Sequence, residues 1–161
     1  MLTIRASSPK MGALGKQSLE AMPTIAVREL IRVGRVRGKQ EEGVICVPCD
    51  RSSVLGNPFD MGYDEKSRDP VCDAFGGWLK ENIRLYQRGK SAEHVILRPW
   101  LDQGLTIAPA FKNPSVFTVC EELRRIGGLV AQGRQVALLC HCHPKRCHVL
   151  SIVNAIEWQL G

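Results

Sequence analysis

Val136-Ala-Leu-Leu-Cys140-His-Cys142-His-Pro144-Lys-Arg-Cys147-His148 joins a run of apolar residues to a dense cluster of cysteines and histidines. The apolar part is typical of a central strand that is covered on both faces of a sheet. Six cysteines or histidines follow it within nine positions. We therefore expect a strand that ends directly at a site able to bind a metal ion or to perform thiol chemistry.

The segments around this strand predict an α/β fold. Gly43–Pro48 is short, apolar and rich in β-branched residues, which favours a buried strand. Asp69-Pro70 and Asn113-Pro114 each combine a capping residue with a proline, and this combination is typical of a helix start. A last apolar stripe follows His148. The alternation predicts a mostly parallel sheet flanked by helices, Rossmann-like, in a single domain.

Four further segments are less regular. Thr24–Ile31 fits either a strand or a short helix, and Arg32–Gln40, with two glycines among basic residues, fits a turn or hairpin tip. His94–Leu97 is predicted as a second strand, and Leu105–Ala108 as a short extended piece.

Gly76-Gly77 lies inside the helix that is predicted to begin at Asp69-Pro70, although each glycine costs about 1 kcal/mol of helix propensity relative to alanine.

Length and cysteine usage predict one intracellular domain. A chain of 161 residues suits a single core, with residues 1–22 as a flexible N-terminal extension and residues 23–161 as the α/β domain. No segment approaches the roughly 20 apolar residues of a membrane span, and the N-terminus lacks the apolar block of a signal peptide. Seven cysteines, an odd number, favour reduced thiols or metal ligands over disulfides, and hence a cytoplasmic location.

The excess of positive over negative charge comes from the first quarter of the chain. The net charge is +6, and residues 1–40 hold eight basic and two acidic side chains, which accounts for all of it. Residues 24–40 could therefore contact nucleic acid or an acidic host protein. The alternative is that these charges form a solvated face with no partner.

A zinc site is the first interpretation of the Cys/His cluster. Three thiolates from Cys140, Cys142 and Cys147 with the imidazole of His148 match zinc's tetrahedral preference. Against it, Cys147 and His148 are expected in the first turn of the last helix, where adjacent side chains diverge by about 100°. Cys46-x-x-Cys49 offers a second ligand pair, so a site that combines both segments stays open.

Two other interpretations use the same residues without a metal. A thiolate at the helix N-terminus beside Lys145 and Arg146 could act as a nucleophile, with His141 or His148 as its base. Cys140 to Arg146 also has the C-x5-R spacing of phosphate loops, but it contains no glycine. Alternatively, the helix start and the two cations bind an anion, or the cluster only fills a loop.

The loop that follows the Gly43–Pro48 strand is the second candidate site. In open α/β sheets, ligands bind beyond the carboxyl ends of the strands, so Arg51–Phe59 and the Cys/His cluster are expected to meet at one edge. Arg51 and Asn57 could then recognise a phosphate or a base. The alternative is that Asn57 bonds its own backbone and Arg51 is solvated.

The chain resembles a family of unknown function that is common in phages and bacteria. Its members carry an arginine before a GNPF motif, an arginine-acid start to a helix that ends in Trp-Leu, and then C-x-C-x-P-x-x-C-H. The matching positions, spread over roughly residues 24–160, are Arg51, Gly56–Phe59, Arg68-Asp69, Trp78-Leu79 and Cys140–His148. In place of the family's small residue and acid after the final histidine, this chain has Val149-Leu150.

The resemblance implies that the cysteines, Pro144 and His148 act as a unit, and that Arg51, Asn57 and Arg68 share a role with it. We expect an α/β protein that binds a nucleotide-like or other anionic ligand, with zinc as the metal. The expected ligand-binding residues are Arg51, Gly56, Asn57, Pro58, Phe59, Arg68, Lys145 and Arg146, and the expected metal ligands are Cys140, Cys142, Cys147 and His148. The alternative is a phage-type interaction protein, in the host cytoplasm, that uses residues 24–40 and has a purely structural Cys/His cluster.

Overall fold

The predicted central strand forms the middle of a parallel sheet. The computed structural model describes residues 26–161. The strands are β1 (Ile31–Arg35), β2 (Ile45–Pro48), β3 (Phe59–Asp60), β4 (Thr106–Ile107) and β5 (Val136–Cys140). β5 lies between β1 and β2 and runs parallel to both, while β3 and β4 form a separate antiparallel pair. The mostly parallel α/β architecture in a single domain is thus confirmed.

The helices carry the apolar faces that cover this sheet. They are α1 (Val27–Leu30), α2 (Arg68–Gln87), α3 (Arg98–Leu101), α4 (Val116–Ala131) and α5 (Val149–Leu160), and a 3-10 turn spans Glu65–Ser67. α2, α4 and α5 pack against one another, and the fully buried Trp78 and Phe75 of α2 lie in the core that they share with β5. Ser115 caps α4 by accepting a hydrogen bond from the Thr118 amide, so the predicted start at Asn113-Pro114 is two residues early.

The two glycines inside α2 are explained by close packing of other helices. A Cβ at Gly76 would lie 3.2 Å from the Ser151 hydroxyl of α5, and a Cβ at Gly77 would lie 3.2 Å from the Trp100 ring of α3. The helix gives up propensity at these positions but remains continuous over 20 residues. The absent side chains let α3 and α5 approach its backbone.

Three predictions of local structure need correction or refinement. His94–Leu97 is not a strand. The Val95 carbonyl accepts a hydrogen bond from the side-chain amide of Asn113, just before α4, at 3.3 Å, and not from a neighbouring strand. Arg32–Arg35 belongs to β1, so the predicted turn is confined to the residues that follow it. The segment before β1 is the short helix α1, and β4 confirms the extended piece within Leu105–Ala108.

The structure tests only some of the predictions about the whole chain, which concern a membrane span, the N-terminal extension and the Rossmann-like arrangement. Among the described helices, none has the length and apolar character needed to cross a membrane. The predicted extension, residues 1–22, lies outside the described residues. Ala137 and Leu139 of β5 line a small cavity with residues of β1, β2 and the 36–44 connection. A Rossmann-like arrangement stays a prediction.

The strand register brings the two candidate loops to one edge. Arg35 and Cys140 are partners at the carboxyl ends of β1 and β5, and Pro48 of β2 lies opposite Leu139. The Cys49 amide donates to the Leu139 carbonyl at 2.8 Å and extends the ladder by one bond. The chain after β2 and the chain after β5 therefore leave the sheet side by side.

Candidate metal centre and ligand cleft

Three cysteine sulfurs converge where β5 ends. The Sγ atoms of Cys140, Cys142 and Cys147 all lie within 4.8 Å of one another. A tetrahedral zinc ion with Zn–S bonds of about 2.3 Å would need sulfurs roughly 3.8 Å apart, so a small contraction would suffice. All seven cysteines of the chain are free thiols. The cluster can hold a metal ion.

The imidazole of His148 faces the same point. Its Nδ1 lies 3.8 Å from the Cys140 sulfur and 3.6 Å from the Cys147 sulfur. Its Nε2 lies 2.7 Å from the Cys49 carbonyl oxygen, which can only accept, so Nε2 carries a proton and donates it. The edge of the ring also packs on Phe75 at a centroid distance of 4.7 Å. Metal-binding histidines are held in this way, with the second ring nitrogen bonded to a carbonyl or carboxylate.

The predicted obstacle to this ligand set is removed by the position of the helix start. α5 begins at Val149 with His148 as its N-cap, so Cys147 and His148 both precede the helix rather than occupy its first turn. Cys147 lies outside the helix, and the N-cap His148 lies beside it although its dihedral angles are helical (φ −57°, ψ −23°). His148 Nδ1 is 3.6 Å from the Cys147 sulfur and 3.8 Å from the Cys140 sulfur, so both side chains face Cys140.

The cluster favours negative charge on sulfur. Hydrogen bonds from the neighbouring thiols, Cys140 first, hold the pKa of Cys142 well below its usual value. The same contacts raise the pKa of Cys147, because a second thiolate beside the first is unfavourable. Burial lowers the pKa of His148, but its hydrogen bonds to the sulfurs outweigh burial and raise the pKa to about 9. A divalent cation would stabilise all three thiolates and displace the protons.

The other predicted ligand pair does not join this group. Cys49 is fully buried, its thiol lies 3.6 Å from the Val47 carbonyl, and burial raises its pKa to about 12. Cys46 is half-buried on β2 and lines the small cavity beneath the 36–44 connection. Within residues 26–161, the converging sulfurs come from the C-terminal motif alone. Cys49 contributes through its backbone carbonyl instead.

A cleft of about 490 Å³ opens directly beside the cluster. Its walls come from the loop after β2, from the N-terminal part of α2 and from the Cys/His loop. The lining residues are Asp50, Arg51, Ser52, Asn57, Phe59, Asp60, Met61, Gly62, Arg68, Val71, Cys72, Cys140, His141, Cys142 and His148. The predicted meeting of the two loops is therefore present in the structure.

The Gly56–Phe59 turn builds a wall of this cleft. A Cβ at Gly56 would lie only 2.3 Å from the Asp50 carbonyl oxygen. The Asn57 side chain accepts from the Phe59 amide at 2.9 Å and donates to the Val71 carbonyl at 3.4 Å. Gly56 and Pro58 do not line the cleft, whereas Asn57 and Phe59 do. The bond from the Phe59 amide is the local backbone contact of the alternative prediction, whereas the bond to Val71 connects the turn to α2.

The two arginines predicted from the motifs lie in the cleft, and both are already paired. Arg51 donates to Asp60 at 2.8 Å. Arg68 makes two hydrogen bonds to Glu65, at 2.9 and 3.0 Å, which raise the pKa of its guanidinium. Arg68 also donates to the Arg146 carbonyl at 3.3 Å and so contacts the Cys/His loop. Its side chain is 12% exposed, which limits its movement toward a ligand.

Lys145 and Arg146 lie outside the cleft. Lys145 binds Glu65 at 2.8 Å, and Arg146 binds Asp69 at 2.8 Å and also Asp73. These ion pairs connect the Cys/His loop to the start of α2. Each exposed pair is weak on its own, but several together fix the position of the loop. Their observed contacts anchor the loop, and a role of either cation in ligand binding stays a prediction.

A known family matches most of the chain. The family described as "Domain of unknown function (DUF4326)" matches residues 31–158, from the start of β1 to the last turn of α5. The chain belongs to this family. No curated protein and no solved structure matches the chain. The match confirms a family of unknown function, while its phage origin and the motifs attributed to it stay predictions.

Several cleft residues of this DUF4326 domain were missed by the sequence argument, among them Asp50 and Cys72. Asp50 accepts from the amide of Ser52 at 3.1 Å and from its hydroxyl, and its second oxygen lies 3.3 Å from His141 Nε2. These hydrogen bonds, with the Ser52 hydroxyl first, lower the pKa of Asp50. The position of Asp50 in the sequence could have identified it, because an acidic residue shortly after a parallel strand lies at the edge of the sheet where ligands bind. Cys72 lines the cleft from α2.

Proposed function

We propose that this domain binds one zinc ion through Cys140, Cys142, Cys147 and His148, and a nucleotide-like ligand in the adjacent cleft. The observation that carries the proposal is that the proposed zinc ligands also form part of the wall of the cleft. Three of the four proposed zinc ligands also line the cleft, at the carboxyl edge of parallel strands, where Rossmann-like proteins bind their ligands.

Zinc is the metal that best fits these donors. Thiolate and imidazole groups favour zinc over magnesium or calcium, which prefer oxygen ligands. Four protein ligands fill a tetrahedral shell, so the zinc would be structural rather than catalytic. Its role is to hold the Cys/His loop against β5 and α2. This chemistry needs reduced thiols and therefore fits a cytoplasmic location.

The cleft has the size and the mixed surface of a site for a small molecule. Its volume of about 490 Å³ lies within the usual range for such sites. The half-buried Met61 provides apolar surface on which a base could pack, and the buried Phe59 and Val71 support it from behind. Asp50 and Arg51 provide hydrogen-bonding groups at the same opening, which suits the sugar part of a nucleotide.

Filling the cleft is expected to weaken ligand binding. In the Met61→Trp variant, the larger side chain would occupy space that the ligand needs, and affinity for the best-bound nucleotide should fall by about tenfold or more, which corresponds to about 1.4 kcal/mol. The measurement is calorimetric titration of the zinc-loaded full chain with nucleoside monophosphates. The matched control is Ile96→Trp, at an exposed apolar position that is not among the cleft-lining residues.

Equal affinities of the two tryptophan variants would contradict a site in this cleft. Failure of all four common nucleoside monophosphates to bind the wild-type chain would refute the nucleotide part of the proposal. Absence of zinc from protein purified under reducing conditions, by elemental analysis, would refute the metal part.

The basic region gives a second candidate function, contact with nucleic acid or an acidic host protein. Arg35, Arg37 and Lys39 have no ion-pair partner among residues 26–161, whereas Arg28 and Arg32 bind Glu157 and Glu41. A cavity of about 500 Å³ is lined by residues of the 35–38 turn together with His141. An anionic partner could therefore reach unpaired cations next to the Cys/His loop.

Neutralising these three cations tests this candidate. The triple variant Arg35→Gln, Arg37→Gln, Lys39→Gln should weaken binding of the full chain to single-stranded RNA or DNA. The slope of log affinity against log salt concentration should decrease by roughly two to three, because fewer counterions are released. Fluorescence anisotropy at several salt concentrations measures both effects. Identical slopes for variant and wild type would contradict a nucleic-acid role for this turn.

A further inference from the structure

We propose that the cleft recognises the nucleoside part of its ligand, with Asp50 accepting hydrogen bonds from a ribose 2′,3′-diol, and that phosphate contributes little. The inference rests on the proposed function and specifies the substrate class. It differs from the expectation of an anion site because it assigns specificity to a carboxylate rather than to the cations.

The cations of the cleft offer little attraction to a phosphate. Among the lining side chains, the charges of Arg51 and Arg68 are matched by those of Asp50 and Asp60. Arg51 is bound to Asp60 at 2.8 Å, and Arg68 is bound to Glu65 at 2.9 Å. A phosphate would have to displace a carboxylate from either arginine, and it would then face the displaced negative charge. Such an exchange gives small net affinity.

Asp50 has the position and the acceptor capacity to bind hydroxyl groups. It follows β2 after Cys49, and β2 pairs with β5, whose end carries the Cys/His cluster. One carboxylate oxygen is fixed by Ser52, while the other lies 3.3 Å from His141, which is 64% exposed and can move aside. An ionised carboxylate accepts about four hydrogen bonds. It can therefore accept from both hydroxyls of a diol, whereas it repels a phosphate.

The remaining surface of the cleft suits a base rather than a second charged group. Phe59 is fully buried and is held by Trp100 at a ring-centroid distance of 5.5 Å, so it supports the wall of the cleft from behind. Met61 and Val71 continue the apolar wall toward α2. A ligand with one flat apolar part and one part rich in hydroxyl groups matches this division. A nucleoside has both parts.

The test is a set of calorimetric titrations of the zinc-loaded full chain. Adenosine, guanosine, cytidine and uridine are titrated separately, and the best of them is compared with its 5′-monophosphate and its 2′,3′-dideoxy analogue. We expect the monophosphate to bind within about threefold of the nucleoside, and the dideoxy analogue to bind about tenfold or more weakly.

The Asp50→Asn variant should lose this discrimination. Asparagine keeps one oxygen for the Ser52 amide but loses the charge, so affinity for the nucleoside should fall by about tenfold and approach that for the dideoxy analogue. Asp102→Asn, at an exposed residue paired with Arg98, is the control and should bind like wild type. Zinc content and melting temperature of the Asp50 variant show whether it has folded.

The outcomes separate this inference from the proposed function. Tight binding of the monophosphate with more than tenfold weaker binding of the nucleoside would overturn the inference but support a nucleotide site. Equal binding of the dideoxy analogue to wild-type protein would also overturn it, whatever the state of the variant. Binding of neither nucleosides nor nucleotides would end both proposals.

Discussion

Cys142→Ser is expected to remove the zinc ion and to destabilise the domain strongly. Serine is a far weaker zinc ligand than a thiolate, and the remaining buried thiolates would lose their compensating charge. Breaking such a buried charged site costs about 3 to 5 kcal/mol. For a domain of this size, the melting temperature should fall by roughly 10 °C. Elemental analysis and thermal unfolding under reducing conditions measure the two effects.

Cys46→Ser is the matched control for this experiment. Cys46 and Cys142 are both half-buried, but only Cys142 belongs to the converging sulfurs. The control should retain one zinc ion per chain and a melting temperature close to wild type. A strong chelator should lower the melting temperature of wild type and of Cys46→Ser, and should leave Cys142→Ser unchanged. If both serine variants kept the metal, the proposed ligand set would be wrong.

Gly56→Ala should destabilise the domain by a similar amount, for a steric reason. The added methyl would lie 2.3 Å from the Asp50 carbonyl oxygen and 2.7 Å from the Arg51 Cα. Both are backbone atoms, so no side chain can rotate away and the turn itself must open. Overpacking of this kind costs about 1 to 3 kcal/mol and occasionally more, and we expect the upper part of that range. Chemical denaturation with urea gives the free energy of unfolding.

Gly128→Ala provides the comparison in the same chain. Gly128 lies inside α4, and no atom would lie within 4 Å of its added Cβ. That variant should be stabilised by up to about 1 kcal/mol, because alanine has the higher helix propensity. The two alanine substitutions should thus change stability in opposite directions. A neutral Gly56→Ala would show that the turn is looser than these contacts indicate.

The parts of the site that follow from local patterns were predictable. The apolar run of β5 and its continuation into Cys140 placed the cluster at a strand end, and the rule for parallel sheets brought the loop after β2 to the same edge. The position of His148 was predicted only in part. Its orientation depends on the Cys49 carbonyl, 99 residues away in the chain, and no local pattern reports that contact.

The ion pairs of Lys145 and Arg146 could not be predicted from the sequence. Lys145 and Arg146 lie within the motif, but their partners Glu65, Asp69 and Asp73 belong to the 3-10 turn and α2. An isolated basic residue predicts an anionic partner without saying whether that partner is a ligand or the protein itself. The error at His94–Leu97 has a related cause. A short apolar segment fits a strand, but the Val95 carbonyl accepts a hydrogen bond from the side chain of a distant asparagine, Asn113, instead of from a strand.

The hydrogen bond between His148 and the Cys49 carbonyl also bears on aggregation. In the order β1–β5–β2, β2 is an outer strand of the described sheet, and outer strands with free backbone groups can pair with other chains. The imidazole of His148 donates a hydrogen bond at 2.7 Å to the carbonyl of Cys49, which follows β2. The cysteine cluster orients this imidazole. If the cluster binds zinc as proposed, loss of the metal would weaken the orientation of the imidazole and therefore its hydrogen bond to that carbonyl. Chains without the proposed zinc ion should then self-associate through the edge of β2 before they unfold completely.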